Sequence, residues 1–245
     1  MGGVSGLLDL VFPARCAGCD RPGTLLCAPC RAEVVLIDPA AACPRCGAPD
    51  GWHRCAECDG RDFAFIGARC AALLAPPVSH AIVALKDGGE RRYADLLARL
   101  LVETAPEWLG DAEMLVPVPA TPAAVRRRGF DHAADIAGRL ARLTGVHAQR
   151  VLRAGTSADQ RSLGRDARFV NREGAFRVPA GVMVPARVVL IDDVFTTGAT
   201  LDGAARALLG AGALEVRALA VARSCRPVRR PTDGPQGFAR PTGCA

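Results

Sequence analysis

Apolar and polar positions follow one another in blocks along most of the chain, and these blocks predict strands that alternate with helices. Apolar runs at residues 64–74, 114–118, 188–191 and 216–222 have the length and composition of buried strands. Between them, residues 93–103, 131–143 and 200–209 carry apolar side chains at the three- and four-residue spacing of one helix face. This order predicts a parallel sheet with helices on both faces. We therefore expect one α/β domain over residues 63–225.

The first 62 residues follow another pattern, in which cysteine dominates. Eight cysteines occur as four Cys-x-x-Cys pairs: Cys16, Cys19, Cys27, Cys30, Cys43, Cys46, Cys55 and Cys58. Two such turns can surround one Zn²⁺ ion with four thiolates, and bound zinc stabilises modules too small to bury a large core. Residues 1–62 are thus predicted to form a zinc module with one or two structural Zn²⁺ ions and a short N-terminal helix. Pairing of successive turns and a crossed arrangement both fit the spacing.

Composition indicates the setting of the protein. Eleven cysteines without a signal-peptide pattern favour a reducing, cytoplasmic location over a disulfide framework. No run of 18 apolar residues occurs, so we expect no membrane insertion. The formal charge of +6 is almost entirely due to arginine, and Lys86 is the only lysine. Arginine suits partners that bear phosphate, although a solvated basic surface explains the same charge.

The stretch VVLIDDVFTTGAT (residues 188–200) carries the strongest sign of a ligand site. A buried strand ends on two adjacent carboxylates, Asp192 and Asp193, and small or hydroxyl-bearing residues then begin a helix. In open parallel sheets, ligands bind beyond the carboxyl ends of the strands. Amides at a helix N-terminus bind anions, whereas ionised carboxylates accept hydrogen bonds from hydroxyl groups. A phosphorylated ribose, which has an anionic end and a diol, fits both requirements.

This stretch resembles the phosphoribosyl pyrophosphate (PRPP) signature of type I phosphoribosyltransferases over all 13 residues. The whole chain resembles the ComF family, whose members join a phosphoribosyltransferase-like domain to an N-terminal zinc ribbon. Besides the cysteines, three segments carry that resemblance: LLDLVFPARCAGC (7–19), LVPVPATPAAVRRRGFDHA (115–133) and QRSLGRDARFVNREGAF (160–176). The resemblance covers residues 7 to about 225. It implies an α/β fold with a type I phosphoribosyltransferase-like parallel sheet flanked by helices and a small N-terminal zinc-ribbon module.

The resemblance also implies roles for individual residues. Asp192 and Asp193 would contact the ribose hydroxyls of PRPP, and the 5-phosphate would lie on Thr196, Thr197, Gly198, Ala199 and Thr200. Ala120, Thr121 and Pro122 would form the pyrophosphate loop, and Arg161, Arg165 and Arg168 would lie on a mobile loop that closes over the site. Mg²⁺ would bridge oxygens of pyrophosphate and ribose. No side chain is implied as a catalytic nucleophile.

Three further features are open to two interpretations, and a fourth, the last 20 residues, has one. Where the ComF family more often has GFNQ, this chain has Gly129, Phe130, Asp131 and His132; Asp131 is expected to cap the next helix, and His132 could face the cleft. The Arg126–Arg128 run fits a solvated surface as well as contact with pyrophosphate or nucleic acid. Lys86 is expected at the surface, although the family often has lysine there. Residues 226–245 have the composition of a disordered tail.

Two functions of different classes follow. The first is Mg²⁺-dependent PRPP binding with phosphoribosyl transfer to an acceptor, which would make the protein a glycosyltransferase-class enzyme. The second, which the ComF resemblance implies, is an accessory that handles single-stranded DNA for the DNA-uptake machinery in natural transformation. Only 4% of the residues are aromatic, which weakens the second hypothesis because single-stranded DNA commonly stacks on aromatic rings.

Overall fold

The structure is a computed structural model that describes residues 13–49, 51, 55–58, 61–155 and 175–225. Its helices and strands, in chain order, are α1 (Ala28–Ala32), β1 (Gly67–Leu73), α2 (Val78–Lys86), α3 (Tyr93–Thr104), α4 (Pro106–Asp111), β2 (Met114–Pro117), α5 (Pro122–Arg128), α6 (His132–Thr144), β3 (Arg153–Ala154), β4 (Phe176–Arg177), β5 (Arg187–Phe195), α7 (Ala199–Gly210) and β6 (Glu215–Arg223). The N-terminal helix, the arginine loop and the tail expected from the sequence lie outside the described residues.

Four strands form one parallel sheet in the order β1-β6-β5-β2, and β3 and β4 form a separate antiparallel pair. Helices cover both faces of the parallel sheet. The predicted α/β fold is therefore confirmed, and it matches the sheet-and-helix arrangement of a phosphoribosyltransferase-like domain.

Alternation along β5 divides the core between the two faces. Val188 and Leu190 pack on the side of α7, whereas Val189 and Ile191 pack on the side of α3 and α6. The core residues on the two faces are mostly alanine, leucine and valine, in keeping with the low aromatic content. Strands buried on both faces need such continuous apolar runs, which explains why the runs were visible in the sequence.

The sequence-based limits of two strands are wrong. The strand predicted at residues 188–191 extends to Phe195, because its pairing with β6 continues as far as Arg223. Asp192 and Asp193 therefore lie within β5 and not beyond its end. The strand predicted at residues 64–74 is limited to Gly67–Leu73.

The cysteine-rich segment covers one edge of the sheet. The Ile37 amide donates to the Ala71 carbonyl at 3.0 Å, and the Leu73 amide donates to the Val35 carbonyl at 2.9 Å. Residues 35–37 thus add a short antiparallel pairing along the outer side of β1. This contact holds the zinc module against the α/β domain.

Candidate functional site: two cysteine clusters and a carboxylate pair

The eight cysteines lie in two groups of four. Cys16, Cys19, Cys27 and Cys30 form the first cluster, and Cys43, Cys46, Cys55 and Cys58 form the second cluster. In each cluster the four sulfur atoms lie within 4.8 Å of one another. Successive turns therefore share a site, and the crossed arrangement does not occur.

Sulfur–sulfur distances in the clusters fit a tetrahedral ion. They are 3.6 Å for Cys16–Cys27, 3.7 Å for Cys43–Cys58 and 3.5 Å for Cys46–Cys55. A tetrahedral Zn²⁺ with Zn–S bonds of about 2.3 Å requires an edge of about 3.8 Å. The geometry supports one structural Zn²⁺ in each cluster.

The thiols of the second cluster are close enough to repel one another when they ionise. Burial and the neighbouring Cys46 raise the pKa of the Cys58 thiol well above its ordinary value. A second thiolate is costly there because it would add charge beside another negative group in a buried position. A dication reverses this effect and favours the thiolate form.

The carboxylates of Asp192 and Asp193 are buried near the carboxyl end of β5, and two cationic or polar side chains face them. Asp193 is 3% exposed, and its Oδ2 forms an ion pair with Nζ of Lys86 at the end of α2. Nε2 of His132, the first residue of α6, lies 3.5 Å from the same oxygen. The expectation of a surface lysine is therefore wrong: the Lys86 side chain is only 24% exposed and faces the carboxylate pair.

The two neighbouring carboxylates have opposite proton affinities. Burial and the adjacent charge of Asp193 raise the pKa of Asp192 well above its ordinary value. Burial also opposes ionisation of Asp193, but His132 and Lys86 outweigh it and lower the pKa of Asp193 to about 2. The pair thus combines one firmly ionised acceptor with a carboxyl group that gains a proton easily. The Asp193 amide donates to Asp192 Oδ1 at 2.9 Å, which fixes the orientation of the latter.

Residues 196–200 form a turn directly after β5, which we call the 196–200 loop. Gly198 has a φ of 81° and occupies the position before α7, the helix that begins at Ala199. A Cβ atom at Gly198 would lie 2.6 Å from the Phe195 ring and 2.8 Å from the Phe63 ring. Thr196 and Thr197 are exposed. Only glycine fits this combination of positive φ and close packing, and the loop presents hydroxyls and a helix N-terminus to solvent.

The 120–122 loop follows β2 at the same edge of the sheet. The Asp131 carboxylate accepts from the Ala120 amide at 3.2 Å and from the Ala134 amide at 3.3 Å, so it caps α6 as predicted and also fixes this loop. Thr121 caps α5 in a similar way. A cavity of about 350 Å³ adjoins the loop, and its lining includes Arg126, Arg150 and Arg153.

The Arg126–Arg128 run is divided between solvent and the site. Arg126 and Arg127 are exposed, as expected for a solvated surface. Arg128 is half-buried, and its guanidinium lies 3.4 Å from both Asp87 and His132. Arg161, Arg165 and Arg168 lie outside the described residues. Among the described residues, the structure brings together the 120–122 loop, Asp131 and His132, and the β5 carboxylates.

Sequence reasoning missed two residues that the structure brings into prominence. Lys86 lies 107 positions before Asp193, and its only signals were its status as the sole lysine and the lysine that the ComF family often has there. Arg223 is fully buried at the end of β6, directly after the predicted strand at residues 216–222. A lone cation at the end of an apolar strand is a weak signal of a buried ionic contact.

The fold and the cysteine clusters define a class: a phosphoribosyltransferase-like α/β domain that carries an N-terminal double zinc ribbon. Residues 7–60 match the double zinc ribbon domain family. The chain is 29% identical over 230 residues to the DNA utilization protein YhgH of Escherichia coli K12, covering 88% of this chain and 99% of that protein. It is 28% identical over 228 residues to the YhgH protein of Salmonella typhi, with the same two shares.

A third relative is the competence protein ComFC of Streptococcus pneumoniae, which is 31% identical over 108 residues, 44% of this chain and 47% of that protein. These similarities confirm the resemblance of the chain to the ComF family. Within the part of the chain that the structure describes, no helix combines the length and the apolar character needed to cross a membrane.

Proposed function

We propose that the β5 carboxylates and the 196–200 loop form a binding site for PRPP with Mg²⁺. The observation that carries this proposal is the placement of Lys86 Nζ and His132 Nε2 beside the buried carboxylate of Asp193, which favours its ionised form. An ionised carboxylate accepts hydrogen bonds only, so it suits a donor such as a ribose hydroxyl. Asp192 lies beside it as the second hydrogen-bonding partner for the diol.

The 5-phosphate of PRPP is assigned to the 196–200 loop. Gly198 turns the backbone, and α7 begins at Ala199, so the amides of the first helical turn lie beside this loop. These amides and the positive end of the helix favour an anion there. The hydroxyls of Thr196 and Thr197 add donors at the exposed face of the loop.

The pyrophosphate group is assigned to the 120–122 loop and its neighbouring cavity. Arg126, Arg150 and Arg153 line that cavity, and arginine pairs well with phosphate oxygens. Bound Mg²⁺ would neutralise the charge that develops on pyrophosphate. Asp193 and Asp192 would orient the ribose for departure of this group, and Lys86 would keep the site from accumulating negative charge.

Transfer of the phosphoribosyl group to an acceptor is the reaction that this arrangement supports. The bond between ribose C1 and the pyrophosphate oxygen breaks while a bond from C1 to the acceptor forms, and the pyrophosphate leaves with the electron pair. Positive charge develops on the ribose ring, close to the ionised Asp193. Such electrostatic stabilisation needs no protein nucleophile.

Calorimetric titration of PRPP with Mg²⁺ tests the binding proposal. The native, zinc-loaded protein should bind with micromolar affinity, about −8 kcal/mol, and the Asp192→Asn/Asp193→Asn double variant should lose it. Glu103→Gln is a matched control, because it neutralises an exposed carboxylate that pairs with Arg31 outside the site. No binding by the folded native protein would refute the proposal. If PRPP binds, release of pyrophosphate that depends on an added acceptor tests the transfer reaction.

A second candidate function, the handling of single-stranded DNA in DNA uptake, is favoured by the exposed arginines and by the names of the relatives. YhgH is called a DNA utilization protein and ComFC a competence protein. Arg126 and Arg127 are exposed on α5, and charge neutralisation at phosphates would make binding strongly salt-dependent. An Arg126→Gln/Arg127→Gln variant should bind oligonucleotides more weakly and with a shallower salt dependence. Unchanged affinity and slope would exclude this surface.

A further inference from the structure

Arg223 joins the second cysteine cluster to the beginning of the 196–200 loop. Its side chain is 1% exposed, at the end of β6. Nε donates to the Cys46 carbonyl at 3.1 Å, and Nη1 donates to the carbonyls of Phe195 at 3.3 Å and Thr196 at 2.8 Å. Nη1 also donates to the Ser224 carbonyl. One rigid guanidinium group therefore contacts the backbone of both segments.

The charge of Arg223 is directed toward the second cluster. Its Nη2 lies 3.8 Å from Sγ of Cys46 and 3.7 Å from the Glu57 carboxylate. A Zn²⁺ ion with four thiolates carries a net charge of about −2, which suits a buried cation nearby. The guanidinium also stacks over the Phe195 ring at 4.6 Å. The buried arginine is thus matched to a loaded cluster.

Two further contacts connect residues 61–65 with the same loop. Arg61 donates from Nη1 to the Thr197 carbonyl at 2.9 Å. The Phe63 ring meets the Phe195 ring edge-to-face at 6.2 Å, close to Gly198. The conformation of the 196–200 loop therefore rests on side chains that come from, or contact, the end of the zinc module.

The first cluster packs elsewhere. The carbonyl of Ala17 lies 3.1 Å from Nδ1 of His80 on α2, and the carbonyl of Arg15 accepts from the Tyr93 hydroxyl at 2.7 Å on α3. Ala17 belongs to the core on the α3 and α6 side, whereas Cys43, Cys46 and Cys58 belong to the core on the α7 side. The two halves of the zinc ribbon thus support opposite faces of the sheet.

We propose that Arg223 is a positioning residue that makes zinc in the second cluster a requirement for binding the 5-phosphate. Loss of that zinc releases the turn that contains Cys46, and Arg223 then loses both its countercharge and one of its carbonyl acceptors. The carbonyls of Phe195 and Thr196 lose their fixed donor, and the 196–200 loop no longer presents its amides in one arrangement. This proposal rests on the PRPP site proposed above.

Titration with two separate ligands distinguishes positioning from a general loss of structure. Arg223→Met should weaken binding of ribose 5-phosphate about tenfold or more, because charged hydrogen bonds to the loop are lost. Binding of inorganic pyrophosphate, assigned to the 120–122 loop, should be unchanged. Arg223→Lys should restore part of the affinity, since it keeps the charge but not the planar set of donors. Arg217→Met is the matched control, because Arg217 lies on the same strand and pairs with Asp111 and Glu215 instead.

Hydrogen exchange measured by mass spectrometry reports on the order of the 196–200 loop without any ligand. Amides of residues 195–200 should exchange faster in Arg223→Met than in the native protein, while those of residues 114–117 keep their rates. Unchanged exchange in the loop, or an equal loss of affinity for both ligands, would overturn the proposal. If Arg223→Met does not fold, Arg61→Gln removes only the outer contact with Thr197 and should produce the same changes on a smaller scale.

A pair of cysteine variants tests the difference between the clusters. Cys27→Ala and Cys55→Ala each remove one half-buried ligand, from the first and the second cluster respectively. Only Cys55→Ala should accelerate exchange at residues 195–200 and weaken ribose 5-phosphate binding. Equal effects of the two variants on the loop would refute the assignment. If the native protein binds neither ribose 5-phosphate nor PRPP, the PRPP proposal fails, whereas the exchange data still decide the role of Arg223.

Discussion

Replacing Asp192 and Asp193 one at a time with asparagine should change the stability of the protein in opposite directions. The substitutions have the same shape and lie next to each other on β5, so packing alone predicts similar effects. Their electrostatic surroundings differ, because Lys86 and His132 face Asp193, whereas burial and the charge of its neighbour dominate at Asp192. Asp192→Asn should be stabilising at neutral pH, and Asp193→Asn should be destabilising.

The size of the Asp193 effect follows from its pKa. A shift from the ordinary value of 3.8 to about 2 corresponds to about 2 kcal/mol of folding free energy at neutral pH. Because the pKa is lowered on folding, this contribution is present above pH 3.8 and is lost as the pH falls toward 2. Asp193→Asn should therefore lower the melting temperature by about 5 °C. Lys86, which is partly exposed, can regain water and so does not add a large further cost.

Asp192 has the opposite linkage. Folding raises its pKa, so its ionised form destabilises the native state at high pH, and protonation relieves that penalty as the pH falls through the raised pKa. Asparagine keeps the oxygen that accepts from the Asp193 amide. A gain on the order of 1 kcal/mol is expected at about pH 8, with a decline toward acidic pH.

Urea unfolding followed by circular dichroism measures both effects. A range from about pH 5.5 to 8 is suitable because the cysteine ligands must stay deprotonated to retain zinc. Glu103→Gln, which changes an exposed carboxylate, should leave the unfolding free energy nearly constant and serves as the control. Destabilisation by both asparagine variants, with equal magnitude and no pH trend, would refute the reasoning about the pair.

Three other variants or treatments have defined outcomes. Gly198→Ala should lower the unfolding free energy by about 2 kcal/mol in urea titrations, because its Cβ would meet the rings of Phe195 and Phe63 and φ is positive; an unchanged midpoint would contradict the close packing. Asp131→Ala should cost about 1 kcal/mol in thermal unfolding through loss of a helix cap, whereas Asp131→Asn should keep most of the stability; equal losses would show that charge and not capping matters. Removal of zinc by a chelator should lower the melting temperature, with two equivalents released in a colorimetric assay. Unaltered melting after complete release would argue against a structural role for the ions.

The zinc module and the alternation of strands with helices along the chain were accessible from the sequence because their signals are local. Cysteine pairs two residues apart specify a metal-binding turn, and apolar runs specify buried strands. The ends of the strands were less accessible, since β5 continues past its apolar run only because β6 continues beside it. Local sequence carries little information about such pairing.

The charged contacts of the candidate site were the least accessible. Asp192 and Asp193 stood out next to a glycine-containing turn, but their partners Lys86 and His132 come from two different helices. Arg223 stacks on Phe195 and contacts Cys46, which lies near the other end of the chain. These contacts depend on the folded arrangement of distant segments, so no residue spacing along the chain predicts them.

The pairing of residues 35–37 with β1 has a consequence for the behaviour of the protein outside its native state. An uncovered edge strand exposes a row of amides and carbonyls that can pair with the edge of another molecule. The zinc module occupies this edge through residues 35–37, which pair with Ala71 and Leu73 of β1, and at the opposite edge of the sheet Leu115 pairs with Ala148. A fragment that begins at residue 63, or a protein stripped of zinc, would present β1 as an open template for self-association. By covering β1, the zinc ribbon therefore also protects this edge of the sheet against aggregation.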